Sequence, residues 1–141
     1  MFVRIRHRRK RKGAAALELA IVLPLLVTLM LGSVDFGRFA YTNVAVRNAS
    51  SEAATWGSHH GITEFPGGLA EWTAAVKQVA VNETDNLEPP ISLDRVTVDT
   101  AVLAEGRVRV IVEYDFQTVV PWPLIPSQVT LMGLTDTPQI P

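Results

Sequence analysis

Cysteine is absent from the chain, which excludes a disulfide framework, a CxxC redox centre and any thiolate-held metal. Charge is sparse as well. Only 19% of the 141 residues are Asp, Glu, Lys or Arg, against 48% that are hydrophobic, a balance that suits one domain and excludes a disordered tail or a collagen-like chain. Basic residues are scarcer still beyond the N-terminus. Of thirteen Lys and Arg, seven (Arg4, Arg6, Arg8, Arg9, Lys10, Arg11, Lys12) precede Gly13, and the remainder carries six bases against fourteen acids, a charge of −8 masked by the net −1. The body therefore repels nucleic acid, and no nucleic-acid partner is expected. Catalytic spacing is missing too: there is no GxSxG, P-loop, GxGxxG or HExxH. His59 and His60 are adjacent, which points them to different sides of any regular element and makes shared metal binding awkward. Asp94, Asp99, Glu113 and Asp115 fall on the polar face of the strand-like region, where solvation is the ordinary state of a carboxylate. No enzymatic activity, metal or cofactor is expected.

What is present is a long apolar run. Residues 14–34, AAALELAIVLPLLVTLMLGSV, contain a single charge, Glu18, and as a helix would extend roughly 31 Å, the thickness of a bilayer's hydrocarbon core. With the basic cluster before it, the positive-inside rule puts a leader, residues 1–13, in the cytoplasm and the body outside the cell membrane. Phe36, Phe39 and Tyr41 suit the outer interface. A cleavable secretory signal shares the pattern of charge followed by apolar run, but here the run is long, no A-x-A-like site closely follows it, and the small residues 13–16 precede it. The arginine pair also fits a twin-arginine address, which a polybasic topology signal explains equally well. Pro24 removes a backbone donor and crowds the carbonyl of Ala20, predicting a kink or loosening. Glu18 is costly in a membrane, and an ionisable group there is a functional candidate by default.

Gly13-Ala14-Ala15-Ala16-Leu17-Glu18, between a basic leader and an apolar helix, resembles a class III prepilin processing site of the type IV pilin superfamily. The longer run RKGAAALELAIVLPLLVTLMLGSVDFGRFAYTNVAVRNASSEAATWG is similar to the TadE family of pilin-like proteins of the tight-adherence (Tad, or Flp) pilus system. The resemblance implies cutting after Gly13 by a membrane prepilin peptidase, leaving Ala14 as the new N-terminus and Glu18 as the fifth mature residue. It also implies partners: the prepilin peptidase, other pilins, and the Tad assembly ATPase with its membrane platform. Cleavage frees an amino group on Ala14, and a carboxylate in low dielectric needs a charged or hydrogen-bonding partner. In pilins that partner is the N-terminus of a neighbouring subunit. The other state open to Glu18 is snorkelling to the cytoplasmic interface.

Residues 35–57 contain no proline, so the helix should continue outside the membrane, with Gly57 as its stop. Ala45, Ala49, Ala53 and Gly57 recur every fourth position, a small-residue stripe that either meets another subunit or packs on the chain's own sheet. Residues 58–141 read as an external α+β domain. SHHGITEFPGG (58–68) is a loop, and Leu69, Trp72, Val76, Val79 and Ala80 share one face of a second helix over 69–83. Beyond Pro90 the period becomes two, predicting a strand through Val96, Val98, Thr100 and Val102 and another through Val108, Val110, Val112, Tyr114 and Phe116. Ala104-Glu105-Gly106 connects them. PWPLIP (121–126) interrupts the pattern, and Gln128–Met132 supplies a third strand.

The expected architecture is α+β and pilin-like: a long, half-transmembrane N-terminal helix, a second helix and a small antiparallel sheet. The expected function is that of a minor pilin or pseudopilin, a structural protein cleaved by a prepilin peptidase and used in surface filament assembly. The alternative is a permanently anchored single-span protein with an external ligand-binding domain.

Overall fold

The computed structural model describes residues 8–123 and 125–140, with side chains from residue 13 onward. Arg4 and Arg6 of the leader lie outside the described residues, and residues 8–12 are described as helical backbone only. Among the described residues the elements are α1 (Arg8–His59), α2 (Gly68–Glu83), β1 (Val96–Asp99), β2 (Arg107–Gln117) and β3 (Gln128–Pro138), with short 3-10 turns between. This is the α+β, pilin-like plan of a long apolar N-terminal helix, a second helix and a small antiparallel sheet. The chain divides into two units, Met1–Gly37 and Arg38–Pro141.

In the first unit the described residues form the N-terminal part of α1. Its apolar side chains are exposed on every side, from Leu17 (65%) and Ile21 (69%) to Met30 (69%). Apolar side chains on every side of a helix are the pattern of a buried or membrane-spanning segment. This part of α1 belongs to the one helix among the described residues that is long and apolar enough to cross a membrane. Pro24 sits within it without ending it.

The second unit is built on a three-stranded antiparallel sheet of order β1-β2-β3. Register aligns the apolar positions across strands: Val96 opposes Val112, which opposes Gly133, and Tyr114 opposes Leu131. Val96, Val108, Val110 and Val112 are completely buried, because the side-chain period of two sends all of them to the face that the helices cover. Trp72, Val76 and Ala80 of α2 are equally buried. They recur at the spacing of one helical face. Leu69, grouped with them by periodicity, is instead 44% exposed at the first turn.

Three boundaries differ from expectation, each for a local reason. Helix α1 passes Gly57 and ends at His59; a Cβ on Gly57 would lie 3.0 Å from Val76, 3.2 Å from Trp72 and 3.3 Å from Val108, so this glycine is a packing position and not a stop. β1 ends at Asp99, whose Oδ1 accepts from the Ala101 N–H at 3.0 Å. That bond caps a 3-10 turn over Thr100–Glu105 and draws the chain out of the ladder. Val102 remains buried within that turn. The turn closes on Gly106 at φ 70°, ψ 35°, a left-handed conformation that favours glycine. β3 runs six residues beyond Met132, paired to β2 throughout, although residues 133–138 have no apolar alternation.

Candidate functional site

The residues singled out for processing and pairing lie on the exposed helix of the first unit. Gly13 is helical, and among the described residues nothing beyond its chain neighbours and its own helix backbone lies within 4 Å of the position a Cβ would take. Ala14 and Glu18 are both exposed and four residues apart, which stacks them on one helical face, one turn from each other. The bond after Gly13 is thus inside regular helix. A protease that reads extended backbone must first unwind this turn, and a helical glycine reduces that cost by about 1 kcal/mol relative to alanine. The helix also hides its hydroxyls. Thr28 Oγ1 donates to the Pro24 carbonyl at 2.8 Å and Ser33 Oγ to the Met30 carbonyl at 2.7 Å, leaving no hydroxyl proton facing outward.

The small-residue stripe lies in the second unit. Ala49 and Ala53 are completely buried in the unit's own core, and Ala45 is half-buried against it. Ser50 Oγ and Thr135 Oγ1 are 3.0 Å apart, and a Cβ on Gly133 would lie 2.5 Å from the Val46 carbonyl oxygen. α1 thus rests directly on the β3 backbone. The structure fills the space above the stripe with the chain's own sheet and α2. A glycine inside a strand marks close backbone approach, but the third strand expected from sequence ended at Met132 and left Gly133 outside it.

Residues 13–55 match the TadE-like protein family. No curated protein and no solved structure is significantly similar to the chain. The match bears out the resemblance read in the first third of the sequence. The TadE-like segment opens on Gly13, contains Ala14, Glu18, Ala45, Ala49 and Ala53, and stops short of α2 and the sheet.

The second unit holds polar features that the sequence did not announce. A groove of about 640 Å³ is lined by Arg38, Tyr41, Asn86, Glu88, Tyr114 and Phe116, among others. Phe39 and Tyr41, assigned from sequence to a membrane interface, also make contacts within this unit. Phe39 meets the Phe116 ring edge-on at 5.5 Å, and the Tyr41 hydroxyl accepts from Asn86 Nδ2. Tyr114 donates to the Glu88 carbonyl at 2.9 Å; burial pushes its phenol pKa up, opposed by Arg38 and reinforced by Glu88. Of the acids expected to be merely solvated, Asp99 and Asp115 form ion pairs across the sheet. Asp115 pairs with Arg95 and accepts from Thr130 Oγ1 at 2.8 Å. Asp99 Oδ2 is 3.2 Å from Arg109, which also donates to Asp136 at 2.9 Å. Asp136, and secondarily Asp99, hold the Arg109 guanidinium further into its charged form. Strand register makes these pairs, setting Asp99 and Asp136 on either side of Arg109. Opposite charges across adjacent strands are worth a few tenths of a kcal/mol to about 1 kcal/mol each.

Proposed function

We propose that the protein is a minor pilin or pseudopilin of a Tad-type system, cut after Gly13 by a prepilin peptidase and inserted as a single span with its body outside the cytoplasm. The observation that carries this reading is the TadE-like match beginning at Gly13, on a helix whose apolar surface is bare on all sides. In the mature protein the Ala14 amine is charged, and Glu18 lies one turn away in low dielectric. One helix cannot easily join its own two groups while its first turn stays regular, so each would pair with a neighbouring subunit. The role is structural. Its partners are the peptidase, other pilins, the assembly ATPase and its membrane platform, and the lipid bilayer.

The test is N-terminal sequencing of the protein from cells with an active prepilin peptidase. Wild type should begin at Ala14, whereas Gly13→Leu should insert normally and keep its leader, because a bulky side chain obstructs close approach of the backbone to the protease. Native protein that still carries its seven leader bases refutes cleavage. The groove in the second unit favours a second reading, a permanently anchored ligand-binding protein. Retention of the leader is what that reading requires.

A further inference from the structure

The connection between β2 and β3 differs in composition from every other connection in the second unit. Residues 118–127, TVVPWPLIPS, carry no charge, whereas residues 60–67, 84–95 and 100–106 each carry at least one. Val119 is 62% exposed and Ile125 58% exposed, with Trp122 half-buried between them. Three prolines, Pro121, Pro123 and Pro126, remove backbone N–H groups that would otherwise need partners on leaving water. Exposed aliphatic residues on either side of a tryptophan in the chain are costly in water and suited to the boundary of a bilayer, where indole prefers to sit.

Its place in the fold supplies the second observation. The loop is closed at its base by the Thr118 N–H donating to the Ser127 carbonyl at 3.0 Å. Just before it, Gln117 accepts from Arg38 Nη1 at 3.4 Å, and Arg38 also lies 5.5 Å over the Phe116 ring. Arg38 is the first residue of this unit. It follows Val34, the last residue of the apolar run, by four helical positions, about 6 Å. The loop therefore leaves the sheet at the end where the unit is joined to the apolar helix. The opposite end of β2, at Glu105 and Gly106, is roughly 35 Å further along the strand.

We infer that Val119, Trp122 and Ile125 form a membrane-docking tip that enters the outer bilayer interface beside the point where the chain emerges. The occupant of this surface is lipid. An uncharged tip takes apolar burial as its driving force, so docking should not depend on anionic lipid or on salt. The inference rests on the reading that residues 14–34 cross the membrane.

The absence of cysteine allows single-site labelling of the full chain. Ile125→Cys, Glu105→Cys and Leu26→Cys proteins, each carrying an environment-sensitive fluorophore, are reconstituted in phosphatidylcholine vesicles at high lipid-to-protein ratio and probed with aqueous iodide and lipid-attached quenchers. The expected result is a blue shift and loss of iodide quenching for the label at position 125, with quenching from lipids near the hydrocarbon boundary, roughly 15 Å from the midplane. The label at 105 stays fully accessible to iodide, and that at 26 is quenched near the midplane. Val119→Glu should return the label at 125 to aqueous behaviour. Equal iodide access at 125 and 105, with 26 buried, overturns the docking tip while leaving the span intact. Iodide access at 26 overturns both. A blue shift at 125 that vanishes on dilution of protein in lipid shows that a second copy covers the loop, and also overturns the inference.

Discussion

Replacing Gly133 by alanine adds one methyl group at the point where α1 crosses β3. That methyl would sit 2.5 Å from the Val46 carbonyl oxygen, 2.9 Å from its carbon and 3.0 Å from Ser50 Oγ. Ordinary contact begins at 3.4 Å, so helix and strand must separate by about 0.9 Å. The two tightest contacts are with backbone, which no rotamer change relieves. Gly133 does not have the positive φ found at Gly68 and Gly106, so its requirement is space and not conformation. Overpacking of this kind costs about 1–3 kcal/mol, partly offset by the roughly 0.4–1 kcal/mol that alanine gains by restricting the unfolded chain. A net loss of about 1–2 kcal/mol in a unit of this size lowers its unfolding midpoint by roughly 5–15 °C. The assay is thermal unfolding of the full chain in detergent, followed by tryptophan fluorescence, since Trp72 is completely buried in the same unit. Ser50→Ala in the same background should not rescue, because the Val46 clash persists. Gly37→Ala is the control: nothing lies within 4 Å of its Cβ position, and helix propensity improves by up to about 1 kcal/mol. A Gly133→Ala midpoint equal to or above wild type refutes the close approach of α1 to β3.

The parts of the fold legible in the sequence are those written as periodicity. Trp72, Val76 and Ala80 repeat at helical spacing, and Val108, Val110 and Val112 at strand spacing, so each set declares both its element and its buried face. β3 is different. Only Leu131 is an apolar residue fully committed to the core, while Met132 and Leu134 are more than half exposed; Gly133 contributes by having no side chain. Its last six residues are held by cross-strand partners such as Arg109 with Asp136 and by the Ser50–Thr135 contact, information that resides in β2 and α1 and not in β3 itself. The shortening of β1 has the same character, since a single side-chain bond from Asp99 outweighs the alternation that continues to Val102.

The candidate site shows the complementary limit. The TadE-like segment that begins at Gly13 was legible because a fixed short spacing between a basic leader and an apolar helix is a one-dimensional pattern. The alanine stripe was legible as a surface of close approach but silent on what approaches it, because a helix face of small residues suits a sheet and a neighbouring helix equally. Burial of Ala49 and Ala53 depends on strands some eighty residues away in the chain, which no local window contains.

Three further outcomes are expected. Ala49→Leu, at a fully buried position, should destabilise the second unit by about 1–3 kcal/mol, seen as a lowered midpoint in the same fluorescence assay; an unchanged midpoint would mean that the stripe faces outward. Asp94 has its carboxyl pKa held below 3.8, first by the Ser92 side chain and then by its own backbone N–H, with Arg95 and Lys77 assisting. The resulting stability is present above the ordinary carboxylate pKa and lost as pH falls through the lowered value, so Ser92→Ala should unfold earlier than wild type at neutral pH and converge with it in strong acid; a gap that does not shrink as the pH is taken into strong acid contradicts this linkage. The last outcome concerns Glu18→Gln, which preserves size and hydrogen-bonding capacity but removes the charge. Insertion becomes easier, since a carboxylate near the membrane core is penalised by up to about 2.5–3.5 kcal/mol. Pairing with a neighbour's Ala14 amine becomes weaker, since a charged hydrogen bond is worth about 1.5–3 kcal/mol. The two effects oppose each other in different observables: membrane abundance should hold or rise, while crosslinking of the mature protein to its pilin partners should fall roughly tenfold to a hundredfold. An anchor with an incidental glutamate would gain abundance and lose nothing. Equal crosslinking at equal abundance would assign Glu18 to the interface, with its carboxylate in water and no part in assembly.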